Sequence, residues 1–495
     1  MKNKDRKDKL SEWKSKYEEY LNRYEELIDK YGDAFDLSDW KSSYNQLKAN
    51  LTSQLTTYIS YNDFAETAEP FEDELSSRLK AFAGKGKNPV ILIHGFFGAQ
   101  LADTKTGLNL WGDFKILETF RISGEKMNKL AHPMQPGKEL YEMNDSIKAV
   151  KMLEELEVNF VGFPIRFPAY RDMINVLVKS GFSEERENLF IFAYDWRKDL
   201  AANAASLADF IDSAKKQVRK NALKNGVKNP DVKFDVIAHS MGGLVTRYYL
   251  RYGRNMEHKN AVPDWSGAEN VERAIIVGTP NAGYLDTFLE MVKGSPLQPY
   301  PVSVLGTLPS YYQMLPHPDY ESVIDADSRE PLNIFDVELW IKMKWGLAEK
   351  RNDSVLQKLL PGITSESKRR ETALEHLDKC LKRAEAFIDK MGKTENKPEH
   401  LSMHLICGNG FKTTRRASVT AKGRVDVTEF AGGDGKVLTS SALHDIRQTG
   451  SSKYIFRSPV KWDNIILLRS AHMGITKAPA FEDNVRFLLT RTPES

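Results

Sequence analysis

Residues 234–243 combine three kinds of sequence within ten positions, and few folds can accommodate that order. An apolar run ends abruptly at Ala-His-Ser-Met-Gly, and apolar residues then recur at helical spacing. This order predicts a strand, a very tight turn and a helix, with Ser240 at the tip of the turn. Small residues must flank the serine because the strand and helix backbones nearly touch. The pattern is the nucleophile elbow G-x-S-x-G, with Ala238 in place of the first glycine.

The apolar run before Ser240 is one of a series that alternates with amphipathic stretches. Near-continuous apolar strands separated by helices predict an α/β fold with a mostly parallel, doubly wound sheet covered on both faces. The predicted strands are Pro89–Ile93, Leu189–Tyr194, Phe234–Ala238, Ala274–Val277, Met403–Ile406 and Ile465–Leu468. Helices are predicted at Tyr170–Ser180, Ala202–Asn221 and Phe481–Thr490.

The pattern also suggests how the chain divides. Residues 1–62 carry aromatic and leucine residues at alternating steps of three and four, which predicts an amphipathic helical hairpin. We favour packing of its apolar stripe on the domain behind it over self-association through a short coiled coil. The α/β core is predicted at 63–283, with an insertion at about 100–165, and at 401–495. Residues 284–400 are predicted to form a second insertion. Both insertions are expected to be helical and are interpreted as a cap or lid, with a decoration remote from the site as the alternative.

Composition limits the partners and the location. The 495 residues carry a net charge of only +3, which gives no support for nucleic-acid binding. No apolar run approaches the ~18 residues needed to span a bilayer, and no secretory signal is evident at the N-terminus. Cys380 and Cys407 are the only cysteines, so a disulfide framework is not expected. These features predict a cytoplasmic protein.

A serine hydroxyl needs an imidazole to accept its proton and a carboxylate to orient that imidazole. In this type of fold both partners follow later strands, in the order Ser, acid, His. His472 comes directly after the last predicted strand and is the predicted base. His444, the other histidine beyond residue 407, is interpreted as a surface residue.

The predicted acid is Asp434, which lies in the glycine-rich stretch Ala-Gly-Gly-Asp-Gly-Lys-Val. Neighbouring glycines allow a sharp turn that leaves the carboxylate projecting. Asp426, Asp445 and Asp463 are competing candidates, and the alternative for Asp434 is a turn aspartate that binds its own backbone.

Two backbone N–H groups are the candidate oxyanion hole. Met241 begins the helix after the serine, and Phe96 follows the first predicted strand in His-Gly-Phe-Phe-Gly. His94 is interpreted as an orienting residue. No metal or cofactor is predicted, because His400 and His404 lack further ligands and the Gly432–Lys436 stretch has the wrong spacing for a phosphate loop.

Five segments of the chain resemble the lecithin:cholesterol acyltransferase family of α/β-hydrolases. They are Pro89–Leu101, Ala193–Arg197, Ala238–Gly242, Gly278–Gly283, and Gly433–Val437 together with His472. The resemblance spans about residues 89–495. It implies that Ser240 is the nucleophile, Asp434 the acid and His472 the base, with Phe96 and Met241 amides as the oxyanion hole. It also implies that the insertions supply a lid and that Trp111 contacts the acyl chain; Phe97, which follows the oxyanion strand, is a second tentative substrate contact.

The chain departs from this family in several positions. It has His94-Gly95 where Pro-Gly is usual, and Lys436 where threonine is usual after Gly-Asp-Gly. Together with the cysteine content, these departures favour a bacterial-type, intracellular relative. The expected function is cleavage of an acyl ester of phospholipid or glyceride type, with water or an alcohol as acceptor and a transient contact with a lipid surface. The alternative is a non-catalytic lipid-binding or assembly scaffold on the same fold.

Overall fold

The computed structural model describes most of the chain beyond residue 87. The described residues are 88–112, 128–160, 163–168, 170–257, 262–294, 302–394, 396–446 and 456–490. The hairpin predicted at residues 1–62 lies outside them and stays a prediction, as do the proposed domain boundaries.

The described residues contain strands and helices in alternation. The strands are β1 (Val90–Ile93), β2 (Ala99–Asp103), β3 (Asn109–Trp111), β4 (Ile147–Met152), β5 (Glu155–Phe160), β6 (Phe163–Pro168), β7 (Leu189–Phe192), β8 (Phe234–His239), β9 (Val271–Val277), β10 (Val323–Asp325), β11 (Ser402–Gly408), β12 (Phe411–Val419), β13 (Val425–Gly433) and β14 (Asn464–Leu468). The α-helices are α1 (Arg171–Lys179), α2 (Leu200–Lys224), α3 (Met241–Tyr252), α4 (Leu285–Lys293), α5 (Val302–Leu305), α6 (Pro309–Tyr312), α7 (Val337–Met343), α8 (Asp353–Leu359), α9 (Glu366–Gly392), α10 (Thr439–Leu443) and α11 (Pro479–Thr490).

The core is a six-stranded sheet in the order β14-β11-β9-β8-β1-β7, and every adjacent pair in it is parallel. All six predicted strands belong to this sheet. Strands β1 and β8 are buried along their whole length, as near-continuous apolar sequence requires when helices cover both faces. The three predicted helices are α1, α2 and α11, with ends shifted by at most three residues. The predicted α/β-hydrolase fold is confirmed.

The described part of the first insertion is largely β-structure. Strands β2, β3 and β4 form a small antiparallel sheet, and β5 pairs with β6 as a hairpin. The sequence analysis expected helical insertions and identified none of these strands. They lack the near-continuous apolar sequence by which the six core strands were recognised; β4, for example, reads Ile-Lys-Ala-Val-Lys-Met.

The second insertion is mainly helical, as expected. Its longest element is α9, which has 27 residues. It buries an apolar stripe at helical spacing that includes Leu377, Leu381 and Ala384. The C-terminal end of α9 is held by helix α3. Arg251 donates to the carbonyl of Lys390 at 3.1 Å, and Arg247 donates to that of Met391 at 3.0 Å. Cationic groups there satisfy terminal carbonyls and face the negative end of the helix dipole.

Strands β12 and β13 form a long antiparallel hairpin between β11 and the acid candidate. The sequence analysis placed Asp434 in a loop following β11 and did not identify this hairpin. Asp434 directly follows β13, so the hairpin returns the chain to the edge of the sheet where β11 ends. Among the described helices, none has both the length and the apolar composition that crossing a bilayer requires.

Candidate active site

Ser240 lies between the end of β8 and the start of α3, at the tip of a strained turn. Its backbone has φ 53° and ψ −127°, a region that side-chain-bearing residues rarely occupy. Two hydrogen bonds hold this conformation: the Ser240 N–H donates to the Val277 carbonyl at 2.7 Å, and the Thr279 hydroxyl donates to the Ser240 carbonyl at 2.8 Å. Both partners belong to β9 or the loop after it, so the neighbouring strand positions the serine.

The glycines around Ser240 are required by close backbone contacts. A Cβ on Gly95 would lie 2.7 Å from the Ser240 Cβ, closer than real side chains approach. A Cβ on Gly242 would overlap the carbonyl of His94, and one on Gly243 would overlap the Thr279 side chain. The loop after β1 and the first turn of α3 therefore pack directly on each other, as the elbow pattern predicts.

The structure brings Ser240, His472 and Asp434 together. His472 Nε2 lies 3.0 Å from Ser240 Oγ, and His472 Nδ1 lies 2.8 Å from Asp434 Oδ2. The His472 N–H also donates to the Asp434 carbonyl at 2.9 Å. Three residues separated by up to 232 positions thus form one hydrogen-bonded line at the carboxyl ends of the strands.

The Asp434 carboxylate is buried and held from both sides. Its Oδ1 accepts the N–H groups of Lys436 at 2.9 Å and Val437 at 2.7 Å, which leaves Oδ2 for the histidine. Gly408, the last residue of β11, lies so near that a Cβ there would overlap the Asp434 side chain. Asp434 thus makes both kinds of contact considered in the sequence analysis. Its Oδ1 binds the backbone of its own turn, and its Oδ2 faces His472.

The competing candidates lie elsewhere. Asp426 pairs with Arg424, and Asp463 pairs with Lys397. His444, predicted to be a surface residue, is only 1% exposed. That prediction was wrong because His444 ends helix α10 and is enclosed among other described residues, where burial lowers its pKa well below the usual value.

The two predicted oxyanion donors lie on either side of Ser240 in the fold. Met241 is the first residue of α3, where N–H groups have no acceptor within the helix. Phe96 lies in the loop after β1, two residues beyond buried His94. Within the described residues neither N–H has a hydrogen-bond acceptor. Both groups are thus available to an oxygen at this site.

His94 orients the peptide that carries the Phe96 N–H. Its Nε2 accepts the Tyr194 N–H at 3.1 Å, so Nδ1 carries the proton and donates to the Gly95 carbonyl at 2.7 Å. The Gly98 N–H donates to the same carbonyl at 3.1 Å. The Gly95 carbonyl and the Phe96 N–H belong to one planar trans peptide and point in opposite directions. Burial lowers the pKa of His94 to about 4, so the ring is neutral.

Tyr170 was not identified from the sequence, although it contacts this loop from behind. Its hydroxyl oxygen accepts the Gly95 N–H at 2.6 Å and lies 3.1 Å from His239 Nδ1. Burial raises the pKa of Tyr170, and burial together with nearby His472 lowers that of His239 to about 3. The phenol therefore donates its proton to a neutral histidine. Tyr170 precedes α1, and no motif in its neighbourhood marks it.

Phe97 and Trp111 lie in one aromatic cluster with Phe96. The Trp111 ring lies 4.6 Å from that of Phe97, and its indole N–H donates to the Phe97 carbonyl at 2.9 Å. Phe97 is only 8% exposed and also packs on Trp196 at 4.7 Å. Phe96 is less buried and contacts Trp196 and Tyr311, both at 5.0 Å. The cluster supports the loop after β1, and Phe96 is its most accessible member in that loop.

The segment Tyr194–Arg197, part of one of the five that carry the family resemblance, has a structural role in the described residues. Arg197 is fully buried between Asp195 and Asp145, with contacts of 2.7 and 2.9 Å. It thereby fixes the strand end after β7 to the first insertion. No group of three or more histidine, cysteine, aspartate or glutamate residues in the described ranges is arranged to hold a metal ion.

Comparison with known proteins agrees with this architecture. The sequence model of the lecithin:cholesterol acyltransferase family matches residues 109–324. A chain of the Tle4–Tli4 complex is similar at 13% identity, over 83% of this chain and 100% of that chain, with a TM-score of 0.50. The mature form of the Bacillus licheniformis lipase BlEst2 is 14% identical, over 86% of this chain and 96% of that chain, with a TM-score of 0.32. No curated protein matches the chain.

The family match includes Ser240 but ends before Asp434 and His472. At 13% identity, the likeness to the Tle4–Tli4 chain shows the fold alone. The match over residues 109–324, together with the six-stranded parallel sheet, confirms the resemblance found in the sequence. Over residues 109–324 this chain is similar to the lecithin:cholesterol acyltransferase family, and its described core has the α/β-hydrolase fold.

Proposed function

We propose that this protein is a serine-dependent acyl-ester enzyme of lipid metabolism that works through an acyl-serine intermediate. The observation that carries the proposal is the line of hydrogen bonds from Ser240 Oγ through His472 to Asp434 Oδ2, at 3.0 and 2.8 Å. This arrangement makes a serine hydroxyl nucleophilic near neutral pH.

In the proposed reaction Ser240 Oγ attacks the ester carbonyl carbon while His472 Nε2 takes the hydroxyl proton. Asp434 Oδ2 accepts a hydrogen bond from the His472 Nδ1–H and keeps the imidazole in the tautomer that leaves Nε2 as the proton acceptor. The two N–H groups on Asp434 Oδ1 prevent the carboxylate from rotating away. His472 then protonates the leaving alcohol, and the acyl group remains on Ser240.

The Phe96 and Met241 N–H groups are proposed to bind the oxyanion. Each such donor typically contributes ~3 kcal/mol to stabilisation of the transition state. The Phe96 donor is held in place by His94 through the Gly95 carbonyl. The Met241 donor is fixed by the start of α3.

A lipid-type ester is the proposed substrate, because aromatic and apolar residues follow β1. Phe97 and Trp111 remain tentative substrate contacts, and Phe96 is the more accessible of the two phenylalanines in the loop after β1. A phospholipid or glyceride would supply the acyl group, and water or an alcohol would accept it. Transient contact with a lipid surface and self-association through the hairpin at 1–62 remain proposals, and the cytoplasmic location stays a prediction.

The test is intact-mass measurement after treatment with a fluorophosphonate. Wild type should gain one adduct, Ser240→Ala none, and Ser206→Ala one, since Ser206 lies on the exposed face of α2. Untreated wild type and Ser240→Ala would then be assayed on phosphatidylcholine vesicles and triglyceride emulsions, with and without a long-chain alcohol. Free fatty acid indicates hydrolysis, and a new ester indicates acyl transfer.

Absence of labelling on folded wild type, with and without lipid vesicles, would overturn the enzyme proposal. The non-catalytic alternative would then apply, and its own measurement is vesicle co-sedimentation of the unlabelled protein. Equal labelling of wild type and Ser240→Ala would also overturn the proposal, because it would place the reactive nucleophile elsewhere.

A further inference from the structure

Lys436 lies two residues after Asp434, and its side chain joins the acid loop to the second insertion. Its Nζ lies 3.1 Å from Asp286 Oδ2 and 3.2 Å from Glu290 Oε1, both on helix α4. Its own backbone N–H donates to Asp434 Oδ1. A single residue thus contacts the carboxylate that binds His472 and a helix residue 150 positions earlier, Asp286.

The same network continues to the other side of Ser240. The second oxygen of Glu290 accepts a short hydrogen bond from the Tyr311 hydroxyl. The Tyr311 ring lies 5.0 Å from the ring of Phe96, which carries the proposed oxyanion donor. Tyr311 is 1% exposed and Glu290 is 8% exposed, so neither side chain has room to reorient.

From these contacts we infer that Lys436 is a positioning residue that sets the acid loop and the oxyanion loop relative to each other through Glu290 and Tyr311. The inference rests on the proposed function, since it assigns Asp434 and Phe96 their roles there. It assigns a role to the position where this chain has lysine in place of the threonine usual in the family it resembles.

Charge explains why a lysine is needed. Burial opposes a charge on Lys436, but the two carboxylates outweigh it and raise its pKa, so the ammonium stays protonated. The Asp286 and Glu290 side chains are only 15% and 11% exposed. Without the ammonium, two carboxylates on adjacent turns of α4 would lie close together with no positive charge between them. Repulsion would move α4 and release Tyr311 from its position against Phe96.

The test compares Lys436→Met, Lys436→Arg and a control, Lys379→Met, in ester hydrolysis and in thermal unfolding. Lys379 makes a similarly half-buried ion pair with Glu375 on α9. We expect Lys436→Met to lower kcat roughly tenfold with little change in KM, because the reacting groups are misplaced while the binding surface remains. Lys436→Arg should recover most of the kcat, and Lys379→Met should keep it.

Tyr311→Phe is the second variant, because Lys436→Met leaves buried charges and could fail to fold. It keeps the ring on Phe96 and removes only the hydrogen bond to Glu290, so kcat should fall several-fold at unchanged KM. Wild-type kcat in Tyr311→Phe, or in folded Lys436→Met, would overturn the inference. A loss in Lys379→Met equal to that in Lys436→Met would also overturn it. These failures differ from failure of the proposed function, in which wild type itself would show no Ser240 adduct.

Discussion

The two loops that flank Ser240 are held in different ways. The loop after β1 is fixed by neutral groups: His94 on the Gly95 carbonyl and Tyr170 on the Gly95 N–H, both fully enclosed. The loop after β13 is fixed by charges, with Lys436 between Asp286 and Glu290, and the lysine side chain is 40% exposed. One loop is set by the core, and the other is set by an insertion.

This difference has consequences for how each loop responds to its surroundings. Neutral, buried hydrogen bonds are insensitive to salt, but they fail when a buried group must accept a proton. A half-exposed ion pair keeps its groups charged over a wide pH range and weakens as ionic strength rises. We therefore expect substitutions and solution conditions to affect the two loops separately.

The largest effect should come from filling the contact between the β1 loop and Ser240. In Gly95→Ala the new Cβ would lie 2.7 Å from the Ser240 Cβ, so the loop must move. Displacement of about 1 Å at reacting groups can cost 100-fold in rate, and we expect kcat/KM for ester hydrolysis to fall by at least that factor. Gly362→Ala is the control, because nothing lies within 4 Å of a Cβ there. Fluorophosphonate labelling of Gly95→Ala at the wild-type rate would show that the contact is not needed.

A smaller effect is expected behind the same loop. Tyr170→Phe leaves the buried Gly95 N–H without an acceptor, which should cost roughly 1–3 kcal/mol of unfolding free energy. Because this N–H adjoins the peptide of the oxyanion donor, kcat should fall about tenfold as well. Tyr312→Phe removes an equally buried hydroxyl that binds the Gly306 carbonyl. It should lose stability and keep its kcat, and equal kcat losses in the two variants would refute a positioning role for Tyr170.

The sequence predicted the parts of this site that follow strand ends. Ser240, His472 and the Phe96 loop each come directly after an apolar run, and chain order in this fold leaves few choices for them. Asp434 was identified by its glycine neighbours, although it follows a hairpin that the sequence analysis did not identify. These positions could be chosen as candidates because local backbone requirements leave a local pattern in the sequence.

The supporting residues could not be predicted in the same way. Tyr170 and Glu290 act through contacts with residues 75 and 146 positions away, and neither belongs to a motif. His444 was misjudged for the same reason, since its burial depends on elements distant in the chain. Lys436 was noticed only as a departure from the family pattern, and its partners on α4 became visible once helix and hairpin were placed together.

The loop after β1 should lose stability at low pH, because its buried His94 must then accept a proton. Burial lowers its pKa from 6.5 to about 4 in the folded protein, so between these values the unfolded chain binds a proton that the folded chain does not. The free energy of unfolding should therefore decrease as the pH is lowered from 6.5 to about 4. The expected decrease at this site is up to about 1.4 kcal/mol per pH unit, and roughly 3 kcal/mol in all. His94→Gln should show a correspondingly shallower pH dependence in urea unfolding at pH 7, 5.5 and 4.5. An unchanged slope would mean that His94 becomes protonated without unfolding the loop.

The smallest effect should separate the charged loop from the neutral one. Raising NaCl from about 0.1 to 1 M shortens the screening length from about 10 to 3 Å, which weakens the half-exposed contacts of Lys436 with Asp286 and Glu290. We expect kcat of the wild type to fall by no more than about threefold, because the two carboxylates are mostly buried and only the lysine is half-exposed to the added ions. A soluble, uncharged ester is the substrate, so that salt does not act through a lipid surface. Tyr170→Phe should keep this salt response and Lys436→Met should lose it; the same response in both variants would show that the two loops are not held by different forces.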